Sequence, residues 1–138
     1  MDDAGEGNLS AMESLLAAGL DPNHELADHG NGFCILMNAS YSNEPRLVAL
    51  LLRHGADPNR ADAKGWTPLM FAVALAETLA INATTSAEVV RMLLAAGAHK
   101  DARNAKGRSV EDILSFQRGY DAIDPKDIDL VANALREG

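Results

Sequence analysis

The sequence is short of the residues that build most sheet cores. Phe, Trp and Tyr together make up 4% of its 138 residues, which argues against a sandwich of bulky strands and favours close-packed helices. Its single cysteine, Cys34, excludes an intrachain disulfide. No apolar run approaches the ~18 residues that signal a membrane span. Residues 1–20, beginning Met1-Asp2-Asp3, lack the basic start and continuous apolar stretch of a secretory signal. Basic residues are in the minority, 12 against 20 acidic, for a net charge of −8. Nonspecific attraction to nucleic acid or to an anionic membrane is therefore not expected. A reducing, aqueous setting follows, with the cytoplasm as the expected location.

What the chain does have is 47% hydrophobic residues, ample for one continuous core, and a period. Gly19-Leu20-Asp21-Pro22-Asn23, Gly55-Ala56-Asp57-Pro58-Asn59 and Gly97-Ala98-His99-Lys100-Asp101 each follow a leucine-rich stretch: Leu15-Leu16, Leu50-Leu51-Leu52 and Leu93-Leu94. A second marker recurs as Gly32-Phe33-Cys34-Ile35-Leu36, Gly65-Trp66-Thr67-Pro68-Leu69 and Gly107-Arg108-Ser109-Val110. Gly32 and Gly65 lie 33 residues apart, whereas Gly65 and Gly107, like Gly55 and Gly97, lie 42 apart. Nine residues are thus inserted in the third unit. A fixed period of this length decides architecture before any single helix does.

Gly65-Trp66-Thr67-Pro68-Leu69 with Ala72, a leucine-rich helix and then Gly-Ala-Asp-x-Asn resembles the ankyrin repeat, and the resemblance covers nearly the whole chain. It implies an all-α solenoid of stacked helix-turn-helix units with β-turn or hairpin fingers. Local chemistry agrees. Thr67 is placed to cap a helix by accepting a backbone N–H, and Pro68 at its first position needs no donor. Thr85-Ser86-Ala87-Glu88 reads as a capping box ahead of an apolar stripe through Val89, Met92 and Leu93, and Gly97 suits the left-handed end of that helix. Each hairpin is too small to bury its own apolar face, so neighbours must stack.

The expected units are 1–28, 29–61, 62–103 and 104–138. The first is truncated, with only Met1 to Ala4 left for its leading helix, as in an abbreviated start or a piece of something longer. The third carries its insertion at 73–85, where the spacing of Val73 to Ile81 predicts a lengthened first helix and a loop at 82–85. The last has Glu111 where leucine is usual and a final helix near Asp127 to Arg136, introduced by Asp124-Pro125. Residues 110–138 hold seven acidic and three basic side chains, which suits an exposed end cap.

The resemblance implies a protein–protein interaction module whose partner docks on the concave side, at the fingertips and the open positions of each first helix. Mapped residue by residue, this selects Asn31, Phe33, Tyr41 and Ser42 in the second unit, Lys64 and Trp66 in the third, and Lys106 and Arg108 in the fourth. Trp66, Phe33 and Tyr41 read either as interface anchors or as packing between fingers. Segments 57–66 and 99–108 together hold six basic and three acidic residues, either a field that steers an acidic or mixed-charge partner or ordinary solvated turns. The apolar residues of 73–85 either pack on the solenoid or offer a patch. A monomer is expected, with a homodimer through 73–85 as the alternative.

Catalysis finds no constellation. There is neither a phosphate-binding Gly-x-x-x-x-Gly-Lys-Ser/Thr nor a Gly-x-Ser-x-Gly elbow. His24, His29 and Cys34 match no structural zinc spacing, so no metal or other cofactor is expected. The alternative function is a regulatory ankyrin segment of a larger enzyme or DNA-binding protein.

Overall fold

A computed structural model describes residues 3–23, 32–42, 44–74, 83–117 and 125–137. Among them are seven α-helices: α1 (Asp3–Ala17), α2 (Ile35–Tyr41), α3 (Pro45–Arg53), α4 (Pro68–Val73), α5 (Ala83–Ala95), α6 (Val110–Gln117) and α7 (Pro125–Glu137). They form two layers. In one, α2 packs on α4 and α4 on α6; in the other, α1 packs on α3, α3 on α5 and α5 on α7. The hairpins α2–α3, α4–α5 and α6–α7 join the layers.

Local sequence explains where these helices start and stop. Prolines occupy the first position of α3, α4 and α7, where the missing N–H leaves nothing unsatisfied. Thr67 has extended backbone and its Oγ1 accepts from the Met70 N–H at 3.4 Å. Ser109 does the same for α6, accepting from the Asp112 N–H, while Asp112 Oδ2 accepts from the Ser109 N–H at 3.0 Å. That reciprocal pair is a capping box the sequence reading passed over. The helices α1, α3 and α5 end alike. Gly97 N–H donates to Leu94 O and Ala98 N–H to Leu93 O, each at 3.0 Å, and the bonds recur at Gly19-Leu20 and Gly55-Ala56. This paired closure needs a left-handed residue, and Gly97 supplies it at φ +102°.

Two local expectations fail. The helix expected to run on beyond Ala72 stops at Val73, because Ala74 takes φ −83° and ψ 65°, outside helical geometry; residues 75–82 lie outside the described part of the chain. The helix that follows begins at Ala83, so Thr85 lies inside α5 and not at its cap. With no proline or glycine near Ala83, nothing local forces a later start.

The buried side chains form one cluster running from Leu16 through Leu36, Leu51, Leu69, Val90 and Leu93 to Val131 and Leu135. Because it is continuous, the stability of each hairpin depends on its neighbours. Polar links tie adjacent units at the connecting turns. The Asp57 N–H donates to Asn23 Oδ1 at 2.7 Å, and one unit on, the His99 N–H donates to Asn59 Oδ1 at 2.8 Å. Among the described residues no buried side-chain polar atom lacks a partner.

Candidate protein-binding groove

The fingers are built from one turn used twice. Gly65 N–H donates to Asp62 O at 2.9 Å and Asp62 N–H to Trp66 O at 3.0 Å; Gly107 with Asn104 and Asn104 with Arg108 repeat these bonds at 2.8 and 3.0 Å. Inside each turn a side-chain oxygen takes two further N–H groups. Asp62 Oδ1 accepts from Lys64 and Trp66, both at 2.9 Å. Asn104 Oδ1 accepts from Lys106 and Arg108 at 2.9 and 3.1 Å. The Ala105 N–H donates to Lys64 O at 2.9 Å, so the two fingers are bonded edge to edge.

That stacking fixes where the side chains after each turn glycine go. Trp66 lies over the ring of Phe71, with centroids 5.2 Å apart. Phe33 and Tyr41 meet the same ring edge-on at 5.4 and 6.0 Å, geometries that suit aromatic quadrupoles. All four rings are half-buried. Beside them a groove of about 570 Å³ opens, lined by Tyr41, Trp66, Phe71 and Ala74 on its apolar side and by Asp62, Lys64, Asn104, Ala105, Lys106 and Arg108 along the fingers.

Five of the eight residues chosen from the sequence therefore line one groove: Tyr41, Lys64, Trp66, Lys106 and Arg108. Phe33 buttresses Phe71 without lining it. Ser42 caps the end of α2, exposed and outside the groove. Asn31 lies outside the described residues, as do His24, His29 and most of the insertion at 73–85. The sequence reading missed Phe71, the ring on which the others converge. Its counterparts at the repeat spacing are Asn38 and Ile113, so an aromatic at that position was a signal available in the register.

Five of the six basic residues of the finger segments divide into two sets. Arg103 Nη1 donates to Gly107 O at 2.8 Å and lies 3.5 Å from Asp112 Oδ2. Lys100 Nζ donates to Leu135 O at 2.9 Å, at the C-terminal end of α7. These two serve the fold. Lys64 and Lys106 are exposed, and the Arg108 guanidinium sits 5.3 Å over the Phe116 ring. The backbone N–H and hydroxyl of Ser109 hold the Asp112 carboxyl below its ordinary range, with Arg103 and Arg108 adding to the effect. Burial pushes the Cys34 thiol up, away from the thiolate that nucleophilic chemistry requires.

The family profile for ankyrin repeats, in three copies, matches residues 1–104. The chain belongs to the ankyrin-repeat family. Its fold agrees: the crystal structure of the ankyrin repeat domain of Bcl-3, a member of the IkappaB protein family, matches 87% of this chain and 44% of that one with a TM-score of 0.62 at 23% identity. Cyclin-dependent kinase 4 inhibitor B of Bos taurus is 33% identical over 117 residues, 85% of this chain and 79% of the inhibitor. Human protein phosphatase 1 regulatory subunit 27 is 31% identical over 86 residues, 62% of this chain. Glycerophosphocholine phosphodiesterase gde1 of Schizosaccharomyces pombe is 35% identical over 110 residues. The chain spans half of the phosphatase subunit and 8% of the phosphodiesterase. Ankyrin repeats are a protein-interaction module, and in gde1 they form part of an enzyme's chain. No described helix of this ankyrin-repeat chain is long and apolar enough to cross a membrane.

Proposed function

We propose that the chain binds a partner protein through the concave face formed by its fingers and by the inner helices α2, α4 and α6, and that it performs no catalytic step itself. The observation that carries this reading is the convergence of Tyr41, Trp66 and Phe71 on one groove edged by Lys64, Lys106 and Arg108. Aromatic and arginine side chains in a partly desolvated depression are the combination that dominates interface energetics. The exposed cations favour an acidic or mixed-charge partner surface and act chiefly on association rate. The working arrangement is a monomer in the cytoplasm, divided into units at 1–28, 29–61, 62–103 and 104–138.

The relatives are named as a kinase inhibitor and a phosphatase regulatory subunit, which supports a role in restraining or targeting another protein. A second reading, a regulatory ankyrin segment of a larger enzyme or DNA-binding protein, is favoured by the likeness to a short stretch of gde1.

Charge reversal tests the face. Lys106→Glu with Arg108→Glu alters two exposed side chains and is expected to abolish co-purification of the cognate partner with the fold intact. Arg46→Glu with Arg53→Glu, on exposed sites of the outer helix α3, is expected to leave it. A partner retained by the first pair and lost by the second places binding elsewhere.

A further inference from the structure

The groove has a shape that the repeat register explains. Tyr41 and Ala74 are 33 residues apart, and Ala74 and Phe116 are 42 apart, so the three stand at equivalent positions at the ends of the inner helices α2, α4 and α6. The middle position is the small one. With the small Ala74 at this position, the groove is lined there by Ala74 together with Phe71, Tyr41 and Trp66. Its volume of about 570 Å³ falls in the range of ~300–1,000 Å³ for pockets that enclose a compact ligand. That suits a few side chains and not a broad protein face.

The rim adjoining this depression is cationic. Lys64, Lys106 and Arg108 line it, with Asp62 as the only carboxylate among the described residues, and Asp62 already accepts two backbone N–H groups. In the second finger Asn104 makes the same two bonds with a neutral amide oxygen, so the turn is kept without a second negative charge. Among the described residues the ammonium groups of Lys64 and Lys106 have no ion-pair partner. Arg108 is different. Its guanidinium rests over Phe116, which is 55% exposed and does not line the groove. The Phe116 ring on the last inner helix thus limits the rotamers of the arginine at the groove edge.

Resting on the proposed concave-face function, we infer that the groove takes a linear acidic peptide segment. One bulky apolar side chain of the segment sits over Ala74 against Phe71 and Tyr41, and an adjacent carboxylate pairs with Arg108 and Lys106. Phe116 is a positioning residue that acts through Arg108. A short run of carboxylates gains from the local cations, whose field reaches roughly one Debye length, about 8 Å at physiological salt. A long polyanion such as nucleic acid would also meet the net −8 of the chain.

Trp66 is the only tryptophan and lines the groove, so its emission reports occupancy directly. The full chain is used to select binders from a displayed library of random linear peptides, and the selected peptides are synthesised and titrated against it. The expected result is enrichment of Asp or Glu next to Leu, Ile, Met or Phe, with saturable change in Trp66 emission. Arg108→Gln weakens such a peptide about tenfold, the loss of one charge-assisted pairing. Phe116→Leu, which keeps an apolar side chain but removes the ring, weakens it about threefold in the parent and not at all in the Arg108→Gln background.

Selected peptides that change Trp66 emission but are neutral or basic, or that bind Arg108→Gln equally well, overturn the acidic-segment inference and leave the concave-face function standing. Peptides that bind without changing Trp66 emission, or a library that yields none, overturn the acidic-segment inference, while the concave-face function itself stands or falls on the charge-reversal pairs. An oligothymidylate that changes Trp66 emission at physiological salt and displaces the peptide overturns the partner class alone. Equal loss from Phe116→Leu in both backgrounds removes its positioning role.

Discussion

The two finger turns, 62–66 and 104–108, share a hydrogen-bond pattern and differ in what surrounds them. A Cβ on Gly65 would meet the Ala105 nitrogen at 2.9 Å and the Asn104 Cα at 3.0 Å, whereas a Cβ on Gly107 would meet nothing within 4 Å. Both glycines are left-handed, at φ +79° and +78°. The first is thus required twice over, for its conformation and for the approach of the next finger. The second is required for conformation alone. Identical motif residues can carry different constraints because one faces a neighbouring unit.

The largest effect that bears on this comparison is Gly65→Ala, expected to cost about 3 kcal/mol or more in urea denaturation, since backbone strain and a clash with backbone atoms add. Gly107→Ala should cost only about 1–2 kcal/mol, the conformational strain by itself. Equal losses would mean that finger stacking contributes nothing at Gly65. Next comes Asn104→Ala, which strands two N–H groups at a buried side chain and is expected to cost about 2 kcal/mol. In the first finger, Asp62→Asn retains the acceptor geometry that Asn104 already demonstrates, so its unfolding free energy is expected to change by less than about 0.5 kcal/mol. A larger shift would show that the Asp62 charge, and not its oxygen, holds the turn.

The helices that follow the fingers extend the comparison. Thr67→Ala removes an uncharged cap from α4 and should cost about 1 kcal/mol at any pH between 3 and 8. The cap of α6 is ionic. The Asp112 pKa is lowered in the folded state, chiefly by the Ser109 N–H. Its contribution is therefore full above the ordinary carboxylate pKa and is lost as pH falls through the lowered folded value. Carboxyl NMR titration should find Asp112 below its ordinary range, and Ser109→Ala, which removes the hydroxyl but keeps the N–H, should raise it only in part. Because the group is exposed, this is the smallest of the effects on stability.

How far the sequence could be read depended on distance along the chain. The capping pair Thr67-Pro68, the helix ends at Gly55 and Gly97 and the proline at the start of α7 involve residues within a few positions of one another, so spacing revealed them. The apolar spacing of Val73 to Ile81 misled, because periodicity records which faces are apolar and is blind to a backbone break at Ala74. The basic excess of the fingers was visible, but its division was not. Lys100 reaches α7, 35 residues on, with no marker in the local sequence, whereas Arg103 turns back within its own finger to Gly107, a choice of side-chain direction that residue spacing does not record.

The sequence by itself determined the repeat, its period, the inserted third unit and the turns that place one side chain after each finger glycine. Each of these rests on propensities and hydrogen bonds between near neighbours in the chain. Only the tertiary structure decided that Tyr41, Trp66 with Phe71, and Arg108, drawn from three different units, share one groove, that Ala74 lines it with them, and that the Arg108 guanidinium lies over the Phe116 ring. Those relations depend on the close stacking of one hairpin on the next, which sets side-chain direction across units.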